Sequence, residues 1–175
     1  MRACEEVSEL SPAEPIVLEA TPGELWLGAW GPINAVIWAR TATVDMVTRI
    51  DRRLTLRYDA LDRQRMSTVH VVLQDVGPPD PDVRAALVDM NERWKDAVAC
   101  GAVVIERVGL AGAALRSAIT GIIILAPKHY RVKVFDALEP CGTWVAEQHS
   151  RVTSIPVEAA QLIQWLQHAR GAVTS

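Results

Sequence analysis

The sequence predicts an α/β fold with a mostly parallel five-stranded sheet. Short runs of β-branched and aromatic residues alternate with longer segments whose apolar residues recur every three or four positions. That switch of period, from about two to about 3.6 residues, marks strands alternating with helices. The connections are short, and 175 residues suit one compact domain. Strands separated by long helices imply right-handed crossovers and parallel pairing.

Residues 1–23, rich in Glu and Pro, read as a flexible arm, with PIVLEA (15–20) a candidate short strand outside the counted five. The domain proper spans 24–150. ELWLGAW and INAVIWAR flank Gly31-Pro32 and read as a hairpin. In TVDMVTRIDRRLTLRYDALDRQ, Val44, Val47, Ile50, Leu54, Tyr58 and Leu61 form one helical stripe, with Thr43 as N-cap. Arg49, Arg52, Arg53 and Arg57 alternate with Asp45, Asp51 and Asp59, the pattern of a solvated helix face rather than a phosphate site.

STVHVVLQDV is a strand. The next helix starts at Asp80 (N-cap) and Pro81 (first turn), with Val83, Leu87, Met90, Trp94 and Val98 as its stripe. GAVVIERV, then the helix of GLAGAALRSAITGIIILAPKHY, then the strand YRVKVF follow. A short helix lies around EPCGTWVAEQH. Residues 151–175 supply an extra amphipathic C-terminal helix with Leu162, Trp165, Leu166 and Ala169 on one side. The predicted order is β-β-α-β-α-β-α-β-α plus that helix.

The strands partly alternate. Val69, Val71 and Leu73 oppose Thr68, His70, Val72 and Gln74; Val132 and Val134 oppose Arg131 and Lys133; Ala35 and Ile37 oppose Asn34, Val36 and Trp38. Fully covered parallel strands read as continuous apolar runs. The sequence therefore predicts helices mainly on one face and a second, partly polar face left for water, the arm or a partner.

Element order and one-sidedness resemble the STAS family of anti-sigma-factor antagonists and sulfate-transporter regulatory domains, over about residues 25–148. The local similarities are TVDMVTRIDRRL after a strand, VHVVLQDVG at the third strand and AVVIERVGLAGAALRSAITG at the fourth. The resemblance implies a regulatory module of bacterial-type signalling that acts through protein contacts. In the phosphorylated members an Asp-Ser-Ser-Gly-like segment opens the helix after the third strand. DVGPPDPDV stands there instead, and no Ser or Thr occurs from Val69 to Arg116, so that phosphorylation switch has no acceptor.

Other chemistries find little support. The net charge of -3 argues against nucleic acid as a partner. Cys4, Cys100 and Cys141 are odd in number and form no C-x-x-C, so neither a disulfide framework nor a zinc ribbon is expected. Reduced thiols and an acidic N-terminus with no export signal give a cytoplasmic expectation.

Gly109 and Gly112 lack phosphate-loop spacing and Lys, so Gly109, Gly112 and Arg116 are candidates for no more than a stray anion contact. His70, His129, His149 and His168 form no ligand pair, and neither metal nor cofactor is expected. The apolar run from Ala118 to Pro127 is too short for a membrane span. Its stripe (Leu115, Ala118, Ile119, Ile122, Ile123 and Ala126) is widened by Ile124 and Leu125, which suggests a subunit contact.

Six Trp against one Phe, with Trp26, Trp30 and Trp38 inside thirteen residues, point to interface anchors. The expected function is non-enzymatic: a protein–protein interaction or scaffold module, partnered by another protein or by itself. Its surface would be Trp38, His70, Gln74, Arg131 and Lys133, with Trp26 and Trp30. The alternative is a carrier of a small ligand or lipid in an apolar pocket between helices and sheet. A third reading is a small enzyme using His70.

Overall fold

The computed structural model describes residues 14–125 and 130–174; Cys4, Ala126, His129 and residues 1–13 of the arm lie outside them. The fold is α/β. Its sheet has six strands rather than five: β1 (Ile16–Thr21), β2 (Leu25–Trp30), β3 (Ile33–Trp38), β4 (Met66–Val72), β5 (Val98–Ile105) and β6 (Arg131–Phe135), hydrogen-bonded in chain order. The additional strand is β1, cut from the segment read as an arm. It pairs antiparallel with β2, which pairs antiparallel with β3, and the remaining pairs are parallel.

Five helices complete the order: α1 (Val44–Ala60), α2 (Pro81–Trp94), α3 (Gly109–Leu125), α4 (Leu138–Thr153) and α5 (Ala159–Thr174). Thr43 caps α1 through its hydroxyl, which accepts the Met46 N–H at 3.3 Å. Asp80 precedes Pro81 as expected but makes no side-chain cap. The α1 stripe holds with one exchange: Met46 is buried while Val44 is 45% exposed. Val98 belongs to β5 and not to α2, because α2 ends at Trp94. The short helix expected near Cys141 runs sixteen residues. Ser154, in the left-handed region at φ 62°, ends it and turns the chain back.

Parallel neighbours in register point the same way, so the pairings define two faces. Asn34, Val36 and Trp38 share the front with Thr68, His70 and Val72, with Gly101, Val103 and Ile105, and with Val132 and Val134. The back carries Ile33, Ala35 and Ile37, then Ser67, Val69 and Val71, then Cys100, Ala102 and Val104. Crossovers that always step in the same direction place α1, α2 and α3 together on the front. The chain then crosses over, and α4 and α5 pack on the back, α4 against β4, β5 and β6 and α5 against β2 and β3. The expectation of helices mainly on one face is thus corrected: both faces are covered.

The two layers pack differently. On the back, α4 lies against β5, and Cys100 and Ala102 of the strand and Cys141, Val145 and Ala146 of the helix are all buried, so small side chains let helix and strand approach closely. The arginines of α1 are not a free face. Arg49 reaches Glu19 at 2.7 Å and Glu24 at 2.9 Å, Arg53 joins Glu19 at 3.2 Å, and Arg57 donates to the Gly31 carbonyl at 2.6 Å. Asp51 accepts from Trp94 at 2.7 Å and from Arg93 at 2.9 Å, tying α1 to α2.

A methyl group added at Gly142 meets Cγ1 of Ile163 at 2.5 Å, so this glycine sets the spacing of α4 and α5. Gly142→Ala is expected to lower stability by about 1–3 kcal/mol through overpacking, read as a reduced midpoint in urea. An unchanged midpoint would show that α5 can shift without cost.

Candidate functional site

The front layer forms a half-open cavity of about 520 Å³ between the sheet and the inner sides of α2 and α3. Its floor is Trp38, Thr68, His70, Val72, Gly101 and Val103, and its roof is Leu87, Met90, Leu115, Ile119, Ile122 and Ile123. The floor alternation explains why these strands looked half polar. Small or polar residues at Thr68, His70 and Gly101 leave room under the helices, and bulky apolar residues there would fill it. Gly101 matters most, since a Cβ on it would lie 3.4 Å from the Tyr130 ring and project into the space.

Few polar groups reach this cavity, and most are engaged. The Trp38 indole N–H donates to His70 Nδ1 at 3.2 Å, and the two rings stack at 6.1 Å and 15°. That bond fixes the tautomer: the ring proton sits on Nε2, which has no hydrogen-bond partner among the described residues. Burial lowers the His70 pKa to about 4, so the imidazole is neutral at physiological pH. At the far end the Tyr130 hydroxyl donates to Asn91 Oδ1 at 3.0 Å, and burial pushes its pKa up to about 12.

The other expected surface residues fall elsewhere. Gln74 is exposed in the turn after β4. Arg131 is in register with Cys100 and Lys133 with Ala102, so both alternate to the back while Trp38 and His70 face the front. Both lie exposed on the edge strand; Arg131 borders the cavity mouth and Lys133 sits 5.0 Å above the Phe135 ring. Trp26 and Trp30 pack against Trp165 of α5 at 6.2 and 6.4 Å, and Trp26 is only 6% exposed. Their partner is the chain's own last helix.

Gly109 opens α3 in the left-handed region at φ 73°. Gly112 is buried against the Arg107 carbonyl, which a Cβ would strike at 2.1 Å. The left-handed backbone accounts for Gly109, and close approach to the Arg107 carbonyl accounts for Gly112. Among the described residues no group of His, Cys, Asp and Glu is arranged to hold a metal.

Sequence reasoning missed one constellation. On the back, Ser67 Oγ lies 2.8 Å from His149 Nδ1 and 3.2 Å from Cys100 Sγ. The residues are far apart in sequence, and only the β4–β5 pairing and the docking of α4 join them. All three are fully buried, and His149 Nε2 has no partner. Burial raises the Cys100 pKa, partly offset by the Ser67 hydrogen bond, and pushes Cys141 up to about 12, so both stay thiols. Protonated thiols beneath a tightly packed helix are poor nucleophiles, and the cluster reads as a polar lock between sheet and α4.

Burial also lowers His149 to about 4. The folded state thus disfavours the imidazolium that the unfolded chain accepts near pH 6.5. This contribution to stability is complete above about pH 6.5 and is lost as pH falls toward about 4, a change of roughly 3 kcal/mol. Denaturation across that window is expected to show stability falling with acid, with a shallower fall in His149→Leu; an equal fall in both would remove His149 as its source. In comparisons with known proteins, no family model matches the sequence, and no significant match is found among curated proteins or solved structures.

Proposed function

We propose that the protein binds a small, mainly apolar ligand in the front cavity. The observation that supports this reading is the cavity itself: about 520 Å³, walled by Leu, Ile, Val and Met, with a few oriented polar groups. Ligand sites typically span about 300–1,000 Å³, are lined mostly by apolar side chains and use few polar contacts to set orientation. A core built only for stability packs helices against the sheet without such a cleft. On the back of the same sheet, α4 packs closely against β5.

Val103 stands in the floor, in register with His70. Val103→Phe adds bulk to open space rather than to packed atoms, so the fold is expected to hold its stability within about 1 kcal/mol. Titration with Nile red, a neutral apolar fluorophore, should give saturable binding to the parent and at least about tenfold weaker binding to Val103→Phe. Equal binding by both would place the dye elsewhere and remove the cavity as the site.

A second reading, a protein–protein contact in a STAS-like module, draws on α3. Leu110 is 93% exposed, Ile124 65% and Leu125 73%, more apolar surface than a solvated helix needs. Self-association through this helix predicts a dimer mass in solution that Leu125→Glu reduces to monomer. A monomer in both leaves α3 without that role.

A further inference from the structure

We infer that the cavity selects an uncharged ligand: an elongated apolar body carrying a hydrogen-bond acceptor, such as a ketone, ester or alcohol, in preference to a carboxylate. This rests on the ligand-binding reading above and assigns its chemical class. The argument starts from which polar atoms remain unused inside. His70 Nδ1 is committed to the Trp38 indole, leaving Nε2–H as a donor without a partner among the described residues. Asn91 Oδ1 is committed to the Tyr130 hydroxyl, leaving its amide N–H₂ to donate. Thr68 sits two residues before His70 on the same floor, so its hydroxyl lies roughly 7 Å along the strand from the imidazole. The unused groups are donors and one hydroxyl; the unused valence of the cavity is for an acceptor.

Formal charge is the discriminating feature. Among the described lining residues only Arg131 carries a charge, and it lies exposed at the start of the edge strand, in register with the back of the sheet. Among the described residues no cation lines the floor beside His70. Protonating His70 would place a proton on Nδ1 facing the indole N–H, so the ring cannot become a counter-charge without breaking the Trp38 bond. A carboxylate seated at His70 would therefore be buried against neutral donors alone. A buried ion without a partner costs far more than a buried carbonyl that receives one hydrogen bond. The polar groups are spread along the floor from Thr68 to Trp38, while the roof is apolar apart from Asn91, which suits an extended molecule lying along β4.

The test uses the full chain and three probes of equal chain length: methyl dodecanoate, dodecanoate and dodecane, competed against Nile red at neutral pH. The ester is expected to bind at least about tenfold tighter than the carboxylate, and His70→Leu should cut the advantage of ester over dodecane by about tenfold. Binding of dodecanoate as tight as the ester, or an unchanged ester advantage in His70→Leu, would overturn the assigned class while leaving the cavity as a binding site. Failure of all three probes to displace Nile red would overturn the ligand-binding reading together with it.

Discussion

Close approach of α4 to β5 is the constraint on which the architecture rests. β5 is almost wholly small or β-branched, VACGAVVI, and it has sheet neighbours on both edges and helices on both faces. On the back, Cys100 and Ala102 admit α4 near to the strand, and that contact anchors α5 in turn through Gly142 and Ile163. On the front, Gly101 and Val103 sit under α3, which makes far fewer contacts with β5. One strand therefore separates a dense layer from an open one, because its alternate residues serve opposite purposes.

This division bears on how the two histidines differ. Both are neutral and both have one ring nitrogen engaged, yet their surroundings give them different work. His149 faces Ser67 and Cys100 inside close packing, where no molecule can reach it. His70 faces a cavity with its remaining N–H unused. Chemistry at a histidine depends on access as much as on protonation, and only His70 has access. Cys100 cannot join His70, because it lies on the opposite face of the sheet.

Much of the fold was legible from periodicity. The long amphipathic segments, the Thr43 cap and the α5 stripe of Leu162, Trp165, Leu166 and Ala169 all stand where the pattern put them. Faces were harder. Alternation fixes which residues oppose each other within a strand, but the relative phase of two strands is set by their register, which a single sequence does not display. Hence Arg131 and Lys133 were grouped with His70, although the β5–β6 pairing sends them to the other side. The alternation leaves the polar floor residues to water, the arm or a partner; in the structure they border a cavity beneath helices. β1 stands where PIVLEA offers a candidate strand; it falls outside the five because it is short and sits at a sheet edge. The Ser67–Cys100–His149 cluster left no local signal at all, being assembled from three elements.

The charged residues at the two margins of the sheet acquire a further meaning. β1 carries a bulge between Val17 and Glu19, and Glu19 is held by Arg49 and Arg53. β6 presents Arg131 and Lys133, both exposed, along five residues. An irregular, ion-paired margin on one side and a short, cationic one on the other are poor templates for a neighbouring strand. The sheet is thus protected against edge-to-edge polymerisation at both of its borders, even though three of its strands run as nearly unbroken apolar sequence.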